Sequence, residues 1–449
     1  MKEKKKMKPL LLPIIALLLW PAAASAQWVF DGAFPDNVDR QFSSVHGVAV
    51  DPDGKIWVQP FSATDSVQVA ELGNTFQAVR VIYVFNEDGS EAAMSPIKFL
   101  TIGGVVDTLG GALIGGAWDG KSGRGVTTDA DGNIIASQWK TLYKIDYQTG
   151  AGMAKVRFPD FCALAEAATD GQGNVFVGSV CPPQPIVMLD TDLNVLGNAV
   201  DFVYGFSRDF AVSPNGNRIF WAGYTTSAVI EYARADEFSA FDSLGVVIPG
   251  MDSESMDVGP DGYLWVGAGS VNDLPNDYPG FATNWEIQTH YAFDIDNLAI
   301  NTIPVSLGSI AWDGGGDGRP RGIDFSPNGE FAYVSQFNNP APSVQRFRFG
   351  AVAVEQNDTV IPESYTLSQN YPNPFNPSTQ INFTLKESGI ADLRVYDVLG
   401  REVDVLVNEL LQAGSYTASF DAKDLSSGQY LYVLKVGGQR LTGRMVLIK

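Results

Sequence analysis

Charged side chains recur at one position of a short phrase that the chain repeats. Six copies of the phrase pair two apolar stretches across a turn that ends in glycine, and the same position opens each copy. The residues there are His46, Arg124, Ala165, Arg208, Glu254 and Arg321. Packing alone does not require charge at such a position, and guanidinium groups bind anions through paired donors. The sequence therefore predicts a site for a small anionic or sugar-like ligand, made by the five members other than Ala165.

Two other interpretations of these residues stay open. In a structural one, the arginines bridge neighbouring repeats through Glu254, loop carbonyls or loop carboxylates such as Asp119, Asp209, Asp313 and Asp317. In a catalytic one, only His46 and Glu254 supply acid–base chemistry, which is little for an enzyme. The chain contains no Gly-x-Ser-x-Gly, His-Glu-x-x-His, P-loop or Cys-x-x-Cys motif. A binding site is the favoured interpretation.

Aspartates in the turns DPDG, DADG and GPDG can be interpreted as calcium ligands. Each turn lacks the spaced carboxylates and the distal glutamate of a calcium loop, so hairpin turns explain them better. A glycine-rich stretch from Asp313 to Asp317 is a stronger calcium candidate. No other cofactor is predicted.

The two cysteines, Cys162 and Cys181, flank the third repeat. If Thr169 faces Asn174 across the turn, continuing outward along both strands places Cys162 opposite Cys181. Opposed Cβ atoms lie ~4.5 to 5.5 Å apart, close to the spacing that a disulfide needs. Exported proteins meet oxidising conditions, and we predict a disulfide between them.

The repeated phrases are predicted to be β-hairpins, because tight turns join short apolar stretches. A third strand candidate follows each hairpin. The hairpins are HGVAVDPDGKIWV, RGVTTDADGNIIA, AEAATDGQGNVFV, RDFAVSPNGNRIF, ESMDVGPDGYLWV and RGIDFSPNGEFAY, and the third strands are residues 81–86, 141–146, 185–190, 228–233, 289–294 and 344–349. Repeats of ~40 to 50 residues are typical of propeller blades. We predict an all-β fold with a six-bladed propeller at residues 27–350.

Two gaps between repeats are longer than a blade, and we interpret them as loops. A seventh blade is the alternative if the gap between residues 46 and 124 hides one. Residues 27–30 have no hairpin of their own and are predicted to form the outermost strand of the last blade, which leaves no long free edge. A sandwich or solenoid would leave this segment unexplained.

The hairpin phrases resemble those of NHL-repeat and gluconolactonase-like six-bladed propellers over roughly residues 40–350. In the gluconolactonase-like family, carboxylates and amide oxygens bind a divalent metal at the channel. The matching positions here are mostly cationic, so neither that metal nor lactonase activity is carried over.

The N-terminus has the pattern of a signal peptide. Five lysines precede an apolar run from Leu10 to Trp20, and Ala24-Ser25-Ala26 follows. The run is shorter than the ~20 residues of a membrane-spanning helix, so we expect cleavage after residue 26 and no transmembrane anchor. The net charge of −21 disfavours nucleic acids and anionic lipids as partners.

After a polar, proline-ended linker at residues 351–364 the pattern changes, and residues 365–449 form a predicted second domain. Short alternating strands separated by glycine turns indicate a small immunoglobulin-like sandwich. The segments YPNPFNPSTQINFTL, LRVYDVLGREV, LQAGSYTASFDAKDLSSGQYLYVLKVGG and TGRMVLIK resemble the type A C-terminal sorting domain of the type IX secretion system.

A proline-rich run is part of that resemblance. It consists of Tyr371, Pro372, Asn373, Pro374, Phe375, Asn376 and Pro377. The prolines fix an extended backbone. The run is either a rigid edge that packs Tyr371 and Phe375 or, as the resemblance implies, part of a surface that the secretion machinery recognises.

The resemblance implies export through the periplasm to the cell surface or the medium, with the secretion machinery as partner. For the propeller we favour a binding or scaffold protein, whose ligand is small and anionic or is a surface protein. The alternatives are a secreted lactonase-type or lyase-type enzyme with its site at the central channel, and a structural surface protein without a small ligand.

Overall fold

The computed structural model describes most of the chain after residue 26 as two compact units, Gln27–Ala353 and Val354–Lys449. The predicted signal peptide at residues 1–26 lies outside the described residues. The described ranges are 27–36, 42–109, 111–223, 225–269, 285–314, 318–338, 342–350, 354–358, 362, 364–386, 389–411, 413–422, 425–437 and 439–449.

The first unit consists almost entirely of strands. In chain order they are β1 (Gln27–Ala33), β2 (Val45–Val50), β3 (Ile56–Pro60), β4 (Asp65–Val69), β5 (Thr75–Val79), β6 (Tyr83–Phe85), β7 (Phe99–Ile102), β8 (Val105–Thr108), β9 (Ala112–Ile114), β10 (Ala117–Asp119), β11 (Gly123–Thr128), β12 (Ile134–Gln138), β13 (Thr141–Ile145), β14 (Gly152–Arg157), β15 (Ala168–Thr169), β16 (Val175–Val177), β17 (Ile186–Leu189), β18 (Val195–Val200), β19 (Phe210–Val212), β20 (Arg218–Gly223), β21 (Ala228–Ala233), β22 (Asp242–Pro249), β23 (Ser253–Val258), β24 (Tyr263–Ala268), β25 (Thr289–Asp294), β26 (Gly308–Ala311), β27 (Arg319–Phe325), β28 (Phe331–Phe337) and β29 (Val344–Gly350). Two short 3₁₀ turns, Ala70–Leu72 and Ile295–Asn297, interrupt them.

Six antiparallel sheets form the blades within the described ranges. From the centre outward they are β2-β3-β6, β11-β12-β13-β14, β15-β16-β17-β18, β19-β20-β21-β22, β23-β24-β25-β26 and β27-β28-β29-β1. Each predicted hairpin supplies the two inner strands, and each predicted third strand takes the third place. The predicted six-bladed propeller is confirmed.

The long gap before the second blade holds small hairpins. Strand β4 pairs with β5, β7 with β8, and β9 with β10, each as a two-stranded sheet. The first of these hairpins is inserted between β3 and β6, and the other two lie between β6 and β11. We predicted a loop for this gap, with a seventh blade as the alternative. The described residues form these small hairpins there and no seventh blade.

The N-terminal strand closes the ring, as predicted. Strand β1 pairs with β29 so that Trp28 lies opposite Phe349. The ring centre of Trp28 lies 5.4 Å from that of Phe325 and 6.2 Å from that of Trp265. The closing strand is therefore held by hydrogen bonds and by aromatic packing against the last two blades.

Glycine follows the repeated position in several blades because the inner strands approach closely there. A Cβ atom added at Gly47 would lie 2.6 Å from the Cα atom of Gly125 in the next blade. One added at Gly322 would lie 3.0 Å from the backbone nitrogen of Val48. A side chain at these positions would push the inner strands apart.

The aspartates that open the turns organise the turns themselves. The carboxylate of Asp51 accepts from the backbone N–H groups of Asp53 (3.0 Å) and Lys55 (2.9 Å) and from the indole of Trp57 (2.9 Å). Asp129 accepts from Asp131 and Asn133 in the same way. These contacts are those of a hairpin turn.

A disulfide joins Cys162 to Cys181, whose Cα atoms lie 6.1 Å apart. The register used to predict this pair is wrong near the turn, where Thr169 pairs with Val175 instead of Asn174. The reason is a three-residue loop, since the N–H of Asp170 donates to the carbonyl of Asn174. An isolated bridge between Leu164 and Ser179 restores the predicted alignment before the cysteines are reached.

The second unit is a two-sheet sandwich, as predicted. Its strands are β30 (Val354–Asp358), β31 (Thr366–Leu367), β32 (Ser378–Leu385), β33 (Gly389–Asp397), β34 (Glu402–Leu411), β35 (Gly414–Asp421), β36 (Gly428–Val436) and β37 (Gln439–Leu447). The sheets are β30-β35-β32-β31 and β34-β33-β36-β37. Side chains from both sheets fill the core, among them Ile381, Leu393 and Tyr432.

Two details of this unit differ from the sequence analysis. Strand β30 lies inside the segment interpreted as a linker, because an edge strand needs only backbone pairing and can be polar. In the proline-rich run Phe375 is buried in the sandwich core, whereas Tyr371 is 80% exposed. Packing therefore accounts for Phe375 and not for Tyr371.

Candidate functional site: an arginine-rich channel mouth

The structure brings the predicted ligand-binding residues together at one end of the central channel. The innermost strands of neighbouring blades contact one another in a ring, and the repeated position stands at their start. We call His46, Arg124, Arg208, Glu254 and Arg321 the channel mouth.

Glu254 joins two arginines of the mouth. Its Oε1 atom accepts from Nε of Arg208 (2.7 Å) and its Oε2 atom accepts from Nη1 of Arg321. Arg321 also donates from Nε to Nε2 of His46 (3.2 Å). Four residues from four blades thus form one connected network.

Arg124 has a different environment. It is 8% exposed, and its guanidinium carbon lies 5.6 Å from the ring centres of both Phe61 and Trp139. Its Nε and Nη1 atoms are buried and have no hydrogen-bond partner among the described residues. The side chain has aromatic neighbours and incomplete hydrogen bonding, which costs free energy in a buried site.

Aromatic rings surround the basic groups. Phe61 directly follows β3 and Phe337 ends β28, and their ring centres lie 4.9 Å apart. The His46 ring lies 5.1 Å from Phe61, and the Arg321 guanidinium lies 5.1 Å from Phe337. Sequence reasoning missed these rings because it considered only the first strand of each blade.

Arg319 is a further basic residue that the sequence analysis missed. It precedes Arg321 by two residues on β27, and although a bulge lies between Pro320 and Gly322, both guanidinium groups lie near the ring of Phe337. Its guanidinium lies 5.9 Å from the Phe337 ring, and its Nε atom is buried without a partner in the described part of the chain. The spacing of two residues from Arg321 was the signal that could have revealed it.

Burial sets the protonation states in the mouth. Burial, and then the nearby Arg321, Arg124 and Arg208, hold the pKa of His46 well below its usual value. Burial lowers the pKa of Arg124 to about 9 and that of Arg321 to about 10, and neighbouring arginines contribute to both. At neutral pH the histidine is neutral, whereas Arg124 and Arg321 are charged. Three arginines face one glutamate.

The other end of the channel is acidic. A cavity of about 450 Å³ opens among the hairpin turns, and its lining includes Glu166, Asp209, Asp257 and Asp324, which we call the carboxyl cluster. Asp209 accepts from the backbone nitrogen of Met256 in the next blade (2.6 Å). Asp324 accepts from that of Val50 (2.6 Å).

These carboxyl groups connect neighbouring blades. The second oxygen of Asp209 accepts from Phe210 (2.8 Å), and that of Asp324 accepts from Phe325 (2.6 Å). Glu166 packs against the preceding blade, where a Cβ atom at Gly125 would lie 2.4 Å from its carboxyl carbon. With both aspartates occupied by backbone donors, the arrangement joins inner strands rather than presenting free bases.

Burial also favours the protonated form of the carboxyl groups in this cluster. It raises the pKa of Asp209 and of Asp324 to about 7. Burial, and then the nearby Asp209 and Asp257, raise the pKa of Glu166 well above its usual value. Within the described ranges no three His, Cys, Asp or Glu side chains are arranged to hold a metal ion. Sequence reasoning considered Asp209 only as a loop carboxylate and missed the rest, although aligning the six phrases places acids at their second and fourth positions.

The predicted calcium residues are only partly described. The backbone N–H of Asp313 donates to Oε1 of Gln345 (2.9 Å), and Nε2 of Gln345 donates back to the Asp313 carbonyl (2.8 Å). Asp317 lies outside the described residues. Calcium binding there stays a prediction.

Known structures resemble the propeller only distantly. A luciferin-regenerating enzyme is 12% identical, with 69% of this chain and 92% of that chain covered and a TM-score of 0.43. Regucalcin, a calcium-binding protein from Agrobacterium tumefaciens, is 11% identical over 71% and 93% with a TM-score of 0.45. A gluconolactonase from Xanthomonas campestris is 12% identical over 74% and 99% with a TM-score of 0.38. No curated protein sequence matches the chain.

The C-terminal unit matches a known domain family. Residues 369–449 match the family of secretion system C-terminal sorting domains, and the match includes the proline-rich run. In the described ranges there is no helix long and apolar enough to span a membrane. The chain therefore carries the sorting domain of the type IX secretion system and is a cargo protein that this system exports to the cell surface or the extracellular space.

Proposed function

We propose that the propeller is a secreted binding protein and that its channel mouth takes a small anionic ligand. The observation that carries this proposal is the buried guanidinium of Arg124, whose Nε and Nη1 atoms lack partners among the described residues. With a pKa of about 9 it stays charged at neutral pH. An anion would supply both the missing acceptors and the missing charge.

Of the neighbouring residues, Glu254 favours the charged form of Arg124, but without a hydrogen bond to the buried Nε and Nη1 atoms. Glu254 already uses one oxygen for Arg208 and the other for Arg321. The rings of Phe61 and Trp139 hold the guanidinium of Arg124 by cation–π contact but accept no hydrogen bonds in its plane. Carboxylates and phosphates match the paired donors of a guanidinium group, so sugar acids and sugar phosphates are the favoured ligands.

We propose that the two units have separate functions. Residues 27–350 bind the ligand, and residues 365–449 direct export and are dispensable for propeller folding. Deletion of residues 365–449 should leave folded protein in the periplasm. Normal export of the truncated protein would contradict this division.

Calorimetric titration of the purified protein tests the binding proposal. The titrants are inorganic phosphate, sulfate, gluconate and galacturonate. At least one should bind, and Arg124→Gln should weaken its binding by about tenfold or more, because hydrogen bonds to charged groups contribute ~1.5 to 3 kcal/mol.

Arg348→Gln is the matched control. The Arg348 guanidinium also lies over an aromatic ring, 5.0 Å from the centre of Phe331, but on the last blade away from the channel. This variant should bind as the parent does. The proposal is wrong if none of the four anions binds, or if folded Arg124→Gln binds them with parental affinity.

A further inference from the structure

An exposed aromatic loop leads to the channel mouth. Residues 201–207, which we call the rim loop, connect β18, the outermost strand of the third blade, to β19, the innermost strand of the fourth. Phe202 is 63% exposed and Tyr204 is 68% exposed, whereas Val203 between them is fully buried. Phe206 is 38% exposed, and the loop ends at Arg208 of the mouth.

The backbone of the rim loop is fixed. The N–H of Val203 donates to the carbonyl of Gln184 (3.1 Å), and that of Ser207 donates to the carbonyl of Val180 (3.2 Å). The Trp221 indole donates to the carbonyl of Tyr204 (3.1 Å). These bonds tie the loop to both neighbouring blades, so the aromatic side chains are displayed on a rigid support.

The course of the loop shows on which face of the propeller the aromatic residues lie. A connection from an outermost to an innermost strand crosses the face of the propeller on which the innermost strands begin, which is the face of the channel mouth. Phe202 and Arg208 are six positions apart, a span of at most about 20 Å. A chain of several sugar rings can reach across such a span from the mouth to the rim loop.

We propose that the anionic ligand is an acidic oligosaccharide, with one acidic sugar in the channel mouth and further sugar rings on Phe202 and Tyr204. Flat aromatic faces pack against the apolar faces of sugar rings, and exposed apolar patches commonly mark binding surfaces. The arginines recognise the carboxylate or sulfate. The net charge of −21 repels a polyanion over most of the protein surface, so the attraction must come locally from the arginines of the mouth. This inference rests on the proposed function and names its ligand class.

The test compares chains of sugars with single sugars by calorimetry on the purified protein. The probes are pentamers of galacturonate and mannuronate, a sulfated heparin pentasaccharide, the corresponding monomers and a neutral glucose pentamer. At least one acidic pentamer should bind about tenfold or more tightly than its monomer, because only the pentamer is long enough to contact both the arginines and the two aromatic faces. The double variant Phe202→Ala/Tyr204→Ala should lose this advantage and keep the affinity for the monomer.

Phe238→Ala is the control, because Phe238 is 89% exposed in the turn between β21 and β22 at the opposite end of its blade. It should leave all affinities unchanged. Monomer binding without any pentamer advantage would overturn the oligosaccharide inference and leave the anion site standing. Equal binding of the neutral pentamer, or a double variant that keeps the advantage, would also overturn it. If no sugar acid or acidic pentamer binds, the inference fails, and the phosphate and sulfate titrations decide separately whether the anion site exists.

Discussion

The two ends of the propeller channel hold buried charges of opposite sign and stabilise them differently. The carboxyl cluster binds backbone N–H groups of neighbouring blades and keeps protons to near neutral pH. The channel mouth shares one glutamate between Arg208 and Arg321 and leaves Arg124 between two aromatic rings.

The difference follows from the chemistry of the groups. A buried carboxyl group becomes neutral by taking up a proton, so it needs no partner ion. A buried guanidinium cannot lose its proton near neutral pH and must find a counter-charge. The same ring of strands therefore has one end that is complete without a ligand and one end that an anion would complete.

The largest effect is expected from Glu254→Gln. It removes the carboxylate that Arg208 and Arg321 share, and Arg321 is only 1% exposed. Breaking a buried ion pair on one side costs ~3 to 5 kcal/mol. We expect the free energy of unfolding, measured with urea, to fall by that amount.

Glu231→Gln is the matched comparison for this variant. Glu231 is 3% exposed and accepts from Nε of Arg218 (2.6 Å), but the side chain of Arg218 is 21% exposed and can be solvated. Its replacement should lower the free energy of unfolding by a smaller amount, about 1.5 to 3 kcal/mol, because one charge-assisted hydrogen bond is lost while the arginine keeps contact with water. Equal decreases in the free energy of unfolding for the two variants would contradict the expected excess of positive charge in the channel mouth.

A smaller effect is expected from removing the disulfide. The cysteines flank the third hairpin at its end near the mouth, where the carbonyl of Val180 holds the rim loop. Closing a loop of 19 residues stabilises the fold by about 3 kcal/mol. Cys162→Ser/Cys181→Ser should lose that amount in urea while keeping the parental pH dependence, because the carboxyl cluster is untouched. Two free thiols in unfolded, unreduced parent protein would contradict the disulfide.

The sequence predicted the blades well because each blade is a local unit. The hairpin from His46 and the strand at residues 81–86 are close in the chain, and turn chemistry places them. Closure of the ring could also be predicted, since residues 27–30 had no neighbouring strand in the sequence with which to form a hairpin. The hairpins β4-β5, β7-β8 and β9-β10 were missed because they lack the repeated phrase.

The site was only half predictable because it forms between blades. The repeated position identified the mouth, and a bridge through Glu254 was one of the interpretations left open, but nothing local shows that it joins Arg208 and Arg321 or that Arg124 remains without a carboxylate. The carboxyl cluster was missed for the same reason. Glu166 and Asp324 belong to different positions of the phrase, and only closure of the ring brings such residues to one cavity.

The last of the three effects is a dependence of stability on pH that originates in the carboxyl cluster. Asp324 has an ordinary pKa near 3.9 when unfolded, and burial raises it to about 7 in the folded protein. Between pH 4 and 7 the folded state therefore binds more protons, so the free energy of unfolding falls as pH rises and levels off above about 7.

The lowered pKa values of His46 and of His290, which burial shifts to about 3, act in the opposite direction below pH 6.5, so the parent profile alone is mixed. Subtracting the profile of Asp324→Asn gives the contribution of Asp324 together with its electrostatic effect on Asp257 and Glu166, because the asparagine is neutral at every pH and the lost hydrogen bond is a constant offset. The difference should fall by up to about 3 kcal/mol between pH 4 and 7. Asp190→Asn serves as the control of opposite sign, since Asn194 holds the pKa of this exposed carboxyl below its usual value. A flat difference for Asp324→Asn would mean that the carboxyl is already ionised at pH 4. The acidic end would then also hold an unneutralised charge, and the contrast between the two ends of the channel would disappear.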